Sequence, residues 1–113
     1  MTEARQGDVW LCDLDPTRGH EQAGRRPVAV ISVDQLGTGP SDLAIVVPLT
    51  TTPQDNPIRP QIDPPEGGLR KRSWGLPDMV RSLDRNRLGE RWGRLKPETV
   101  EQLAARVRLL IRT

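Results

Sequence analysis

Tyrosine and phenylalanine are absent from this chain of 113 residues, and its aromatic side chains reduce to Trp10, Trp74 and Trp92. Any stacking on an aromatic plane therefore falls to three indoles. Cysteine and histidine each occur once, as Cys12 and His20. A lone cysteine excludes an intramolecular disulfide, and one His with one Cys excludes a zinc site built from those ligands within one chain. Lysine is nearly missing, with Lys71 and Lys96 the only examples, so the positive charge is carried by arginine. The opening MTEARQGDVW lacks the basic-then-apolar order of a signal peptide, and no apolar run reaches bilayer length. The expectation is a soluble cytoplasmic protein. Motifs of common enzymes are also missing: there is no phosphate-binding glycine loop, no GxSxG and no HExxH.

What is present fits one domain spanning residues 1–113. Pro 11 and Gly 10 are high together, which predicts many turns and a β-rich fold. The formal net charge is only +2, but the pI is about 9.3. Forked arginine contacts suit phosphate, so this bias permits an RNA or DNA partner; a high-GC genome yields the same bias.

Gly7 to Leu14 reads as a strand with Val9 and Leu11 on one face and Trp10, Cys12 and Leu14 on the other. Pro27 to Ser32 reads as a strand buried on both faces. Asp34 to Asp42 is a turn-rich connector. LAIVVPL, residues 43–49, is the most apolar run and the expected central strand. Prolines between Pro53 and Pro65 restrict that stretch to edge segments such as IRPQI. GGLRKRSWGL, residues 67–76, reads as a turn and another strand, Val80 to Leu83 as a short strand and Arg87 to Leu95 as a last strand or hairpin. Pro97 to Arg112 has helical apolar spacing, with Pro97 suited to the first helical position and Lys96 a poor cap. Short strands plus one terminal helix predict a mainly β fold, a small twisted barrel or half-barrel covered by a C-terminal α-helix.

The stretch GHEQAGRRP, residues 19–27, concentrates an imidazole, a carboxylate, an amide and two guanidinium groups between two strands. One reaction class suits this inventory. RNA carries its own nucleophile, the 2′-hydroxyl, beside each phosphate, so its cleavage requires removal of one proton, donation of another and stabilisation of phosphoryl charge. Glycines let backbone N–H groups approach a phosphate, and Pro27 would hold Arg26 on a rigid element. Thr50 would lie near Arg26 if the second strand pairs with the apolar run at that end. Cys12 with His20 is a less apt nucleophile pair, because Cys12 lies in an apolar strand.

GDVWLCDLDPTRGHEQAGRRPVAVIS resembles the N-terminal signature of the MazF/PemK/Kid family of toxins, with its G-D/E-hydrophobic-W strand followed by DPT-x-G-x-EQ-x-G-x-RP. VPLTTTP resembles the family's second motif, DMVRSLDRNRL its third, and PETVEQLAARVRLLI its C-terminal helix. The resemblance covers nearly the whole chain in order. It implies an SH3-like barrel of the CcdB/Kid/MazF type and a homodimer. It also implies a metal-independent endoribonuclease, without cofactor, that cuts single-stranded RNA, mainly mRNA, to 2′,3′-cyclic phosphate and 5′-hydroxyl ends. A cognate MazE-like antitoxin would block the site and, in complex with the toxin, bind DNA.

Residue by residue, the resemblance makes Arg26 the catalytic arginine and Thr50 its catalytic-site partner. Glu21 and Gln22 match the EQ pair of the RNA-binding loop. His20 matches a position of RNA contact or proton transfer, and Asp78 the acidic residue of the third motif. Deprotonation of the 2′-hydroxyl then falls to Glu21, His20 or Asp78, since arginine stays protonated. Gly24, Arg25, Thr51, Met79 and Arg81 complete the expected RNA contacts. Met79 stands where glutamine is usual, replacing an amide by a thioether, so the cleavage motif is not transferable. Trp74 is the only aromatic near the binding loops, with Trp10 and Trp92 read as core or interface. Two other readings are a toxin on the same barrel that poisons a protein such as DNA gyrase, and a module that binds RNA or antitoxin without cleaving.

Overall fold

The computed structural model describes residues 2–14 and 24–112. Among them, seven strands form one antiparallel sheet: β1 (Asp8–Asp13), β2 (Arg25–Val30), β3 (Leu43–Thr50), β4 (Gln61–Ile62), β5 (Ser73–Gly75), β6 (Arg81–Asp84) and β7 (Leu88–Arg94). The order across the sheet is β4-β5-β3-β2-β1-β7, with β6 also paired to β3. A four-residue helix α1 (Asp34–Gly37) lies in the turn-rich connector, and α2 (Pro97–Leu110) ends the chain. No helix among the described residues is long and apolar enough to cross a membrane.

Strand alternation sends side chains to opposite faces, and both faces are buried. Val28, Val30, Ala44 and Val46 join Cys12, Leu14 and Leu88 in one core, against which Trp10 packs. Val9, Ala29, Val47 and Leu49 form the other with Leu103 of α2, joined at its edge by Val100 and Val107. The apolar spacing of the helix thus serves to cover the second face. Lys96 at the helix start offers no side-chain cap. Its backbone N–H is instead accepted by the Glu66 carboxylate at 3.0 Å, the service that a capping box supplies from within the helix.

Two prolines shape the strands that carry the site. β2 begins earlier than expected, at Arg25, so Pro27 lies inside the strand opposite Leu11 and Arg26 is itself a strand residue. Pro48 is buried in β3. An antiparallel residue directs its N–H and C=O to the same neighbour, and Pro48 O accepts Leu76 N–H at 2.9 Å. The missing N–H of Pro48 faces that same side. There the neighbouring chain cannot keep pairing, and it breaks into a single 3-10 turn, Pro77–Met79, between β5 and β6. Glycine is required where the turn at residues 66–68 crosses β7: Gly68 has φ 73°, and a Cβ there would meet the Trp92 carbonyl oxygen at 2.1 Å.

Candidate active site

Register aligns the residues that the sequence pattern singles out. Arg26 lies opposite Cys12 across β1 and β2. Val28 lies opposite Pro48 across β2 and β3, and the same register continued by two residues sets Arg26 level with Thr50. Thr50 pairs with Trp74 of β5, which pairs with Gln61 of β4. Residues directly opposite share a face. Arg26, Thr50, Trp74 and Gln61 thus form a row across four strands, on the same face as Val28 and Val46. With about 4.8 Å between neighbouring strands, Arg26 and Trp74 are roughly 10 Å apart in the sheet.

Arg25 and Arg26 are exposed, whereas Thr50 is buried. The Thr50 hydroxyl oxygen accepts the Thr52 N–H at 3.2 Å, leaving the hydroxyl proton to be donated elsewhere. Thr51 is exposed. The backbone bond from Leu14 N–H to Gly24 O, 3.0 Å, joins the two sides of the motif beside Arg25. His20, Glu21 and Gln22 lie outside the described residues.

More arginine converges on the same face. Arg81 opens β6 opposite Val46, and Arg87 ends the 3-10 turn Arg85–Arg87. Burial pushes the Cys12 thiol up, and the positive charges of Arg87 and Arg81 act in the opposite direction. The net upward shift keeps Cys12 a buried thiol rather than a thiolate nucleophile. Both arginines are therefore close enough to act on the residue that faces Arg26. Arg87 was not singled out by motif reading; its position three residues past Asp84 carries no signal of which face it joins.

The third motif folds as the 3-10 turn that Pro48 imposes. Asp78 is exposed and Met79 half-buried. Arg59 grips Asp78 with its fork, Nε to Oδ1 at 3.0 Å and Nη2 to Oδ2 at 2.5 Å. Nη1 of Arg59 also donates to Gln54 Oε1 at 2.8 Å. The hydrogen bonds from Arg59 hold the Asp78 carboxyl below its usual range, against the opposing effect of burial. This pair joins the proline-rich segment to the site. Sequence reading missed Arg59, because a partner 19 positions away leaves no local pattern.

A twisted antiparallel half-barrel under a C-terminal helix, with a hydroxyl and arginines at one end of a face, defines a small half-barrel protein with a positively charged end. The family model described as the PemK-like, MazF-like toxin of type II toxin-antitoxin systems matches residues 5–111, and the chain belongs to that family. It is 36% identical over 101 residues to Endoribonuclease MazF of Staphylococcus saprophyticus, covering 88% of this chain and 83% of that protein. Endoribonuclease EndoA of Bacillus subtilis is 35% identical over 101 residues, covering 88% and 86%. The crystal structure of MazF from Deinococcus radiodurans superposes with a TM-score of 0.83 at 25% identity, covering 100% of this chain and 99% of that one.

Proposed function

We propose that this protein is the toxin of a type II toxin-antitoxin system, a metal-independent endoribonuclease that cuts single-stranded RNA in the cytoplasm. The observation that carries the reading is the pairing of Val28 with Pro48, which continued by two residues sets Arg26 level with Thr50, in a chain more than a third identical to an endoribonuclease over most of its length. The 2′-hydroxyl oxygen forms the new bond to phosphorus while the bond to the 5′-oxygen breaks. The 2′ proton leaves to a base, and a proton reaches the departing 5′-oxygen. Arg26 stabilises the charge on the phosphoryl oxygens and directs N–H groups toward the leaving oxygen. Thr50 donates its hydroxyl proton to the phosphate. Arg81 and Arg87 supply positive field along the RNA backbone. A cognate antitoxin blocks the site. A second copy of the chain completes a homodimer, covering the exposed apolar Val33, Leu43 and Ile45.

The test is incubation of purified protein with a long RNA in excess chelator. Cleavage at discrete sites, undiminished by the chelator, is the expected result. Loss of cleavage that added magnesium restores would contradict the mechanism, and intact RNA under all conditions would favour a non-enzymatic toxin.

The proton acceptor is Glu21 or His20 rather than Asp78. A carboxylate held down by Arg59 is a weaker base than a free one. Linkage has a defined sign here: stabilisation from the pair is fully present above the ordinary carboxylate pKa of about 4 and is lost as pH falls through the lowered folded value. Being partly exposed, it is worth at most about 1 kcal/mol. Asp78→Asn is expected to keep the acid limb of the pH–rate profile in place. Disappearance of that limb would assign the base to Asp78.

A further inference from the structure

Among the described residues, Trp74 is a large aromatic side chain that joins neither apolar core. Trp10 and Trp92 pack against the two apolar cores with their indole nitrogens buried. Trp74 is a member of neither, and it is half-buried on β5. Its backbone neighbour Gly75 accounts for the other face, where an added Cβ would meet Leu103 Cδ2 at 2.5 Å. Trp74 therefore stands on the face opposite the helix. Its register partner there is Thr50 on one side and Gln61 on the other. Gln61 is exposed, and its Nε2 donates to Asp63 Oδ1 at 2.9 Å, so its amide oxygen is left as an acceptor.

We infer that Trp74 is the stacking platform for the unpaired base beside the scissile phosphate, a binding role that rests on the RNA-cleaving reading above. Single-stranded RNA is read with bases splayed onto aromatic planes, and this chain has no Tyr or Phe to share the task. A phosphate held by Arg26 and Thr50 places one of its two flanking bases about one strand spacing away, over β5. The indole acts by holding the nucleotide rather than by moving protons. Its loss therefore weakens binding and leaves the chemical step intact.

The experiment uses a short RNA containing one mapped cleavage site and the same RNA with a 2′-deoxy nucleotide at the cut, which cannot be cleaved. Trp74→Leu is expected to raise KM and the Kd of the deoxy analogue by about tenfold to a hundredfold, the range of one stacked base. The kcat should stay within about threefold, and Trp74→Phe should recover most of the affinity. An abasic nucleotide on one side of the cut, tested with the unaltered protein, should weaken binding by a similar factor. Combined with Trp74→Leu it should add little, because both changes remove one contact. Unchanged Kd in Trp74→Leu, or full additivity with abasic sites on both sides, would overturn the inference. RNA left intact by the unaltered protein would instead overturn the endoribonuclease reading, so the two failures are distinguishable. The abasic arm needs no variant and remains decisive if Trp74→Leu folds poorly.

Discussion

Arg26→Ala will fold normally and cleave RNA at least about 100-fold more slowly than the unaltered protein. The side chain is exposed on β2, so truncation leaves no core cavity, and surface changes of this kind usually fall within ±0.5 kcal/mol. The loss in rate follows from its place. Removing one preorganised donor to a developing oxyanion typically costs 10²–10³-fold, and here the donor also carries full charge. Arg26→Lys keeps the charge but not the fork, and should recover only part of the rate. Arg25 is the internal control. Strand alternation turns it to the opposite face, where its guanidinium lies 3.8 Å from the position a Cβ on Gly89 would take. Arg25→Ala should cost less than about tenfold. Rates are measured on a single-site RNA oligonucleotide and folding by circular dichroism. Equal losses at both positions would mean that general positive charge, not the row shared with Thr50, carries the activity.

Arg85→Met will be strongly destabilising and will leave the activity per folded molecule unchanged. Arg85 is only 1% exposed. Its guanidinium donates to three backbone carbonyl oxygens at the end of α1 and in the connector after it, those of Gly37, Gly39 and Ser41, the second at 2.8 Å. Its own backbone N–H donates to Asp42 O at 2.7 Å. One buried cation thereby fixes a loop of glycines that has little apolar surface of its own. Methionine keeps the stem and removes every donor, so the carbonyls lose charged partners worth about 1.5–3 kcal/mol each before relaxation and water entry. The net expectation is about 3–5 kcal/mol, a large part of the stability of a domain this size. Urea titration should show a lower midpoint with an unchanged slope. Arg85→Lys should rescue little, since one ammonium cannot span three carbonyls in this geometry. A loss below about 1 kcal/mol would mean the connector holds its shape without the clamp.

Local pattern made the main strands and the terminal helix legible. β1 and β3 follow from alternation and apolar runs, and α2 follows from its periodicity and Pro97. Motif order brought Arg26, Thr50, Asp78 and Arg81 forward, and the sheet places the first two in one row. The less legible parts are those set by distant partners. Pro27 looked like the start of a strand, yet β1 pairs past it to Arg25. The turn that displays Asp78 is dictated by Pro48, some 30 residues earlier, through a missing N–H on one side of β3. The poor cap at Lys96 is completed by Glu66 from another segment. Arg59 and Arg85 read as surface charges in the sequence, because nothing local identifies an acceptor 19 or 48 residues away. Trp74 stands out in the sequence as the one aromatic near the binding loops, and its meaning comes from the strand partner beside it.

The account stands most directly on the chemistry of the cut ends. RNA cleaved by the purified protein in chelator should carry 5′-hydroxyl termini, labelled by polynucleotide kinase without prior phosphatase, and 2′,3′-cyclic phosphate on the other side. A 2′-deoxy nucleotide at the cut should abolish the reaction, and Arg26→Ala should remove it under the same conditions. Products bearing 5′-phosphate, or cleavage that survives the 2′-deoxy substitution, would show that water rather than the RNA's own hydroxyl is the nucleophile and would contradict the account.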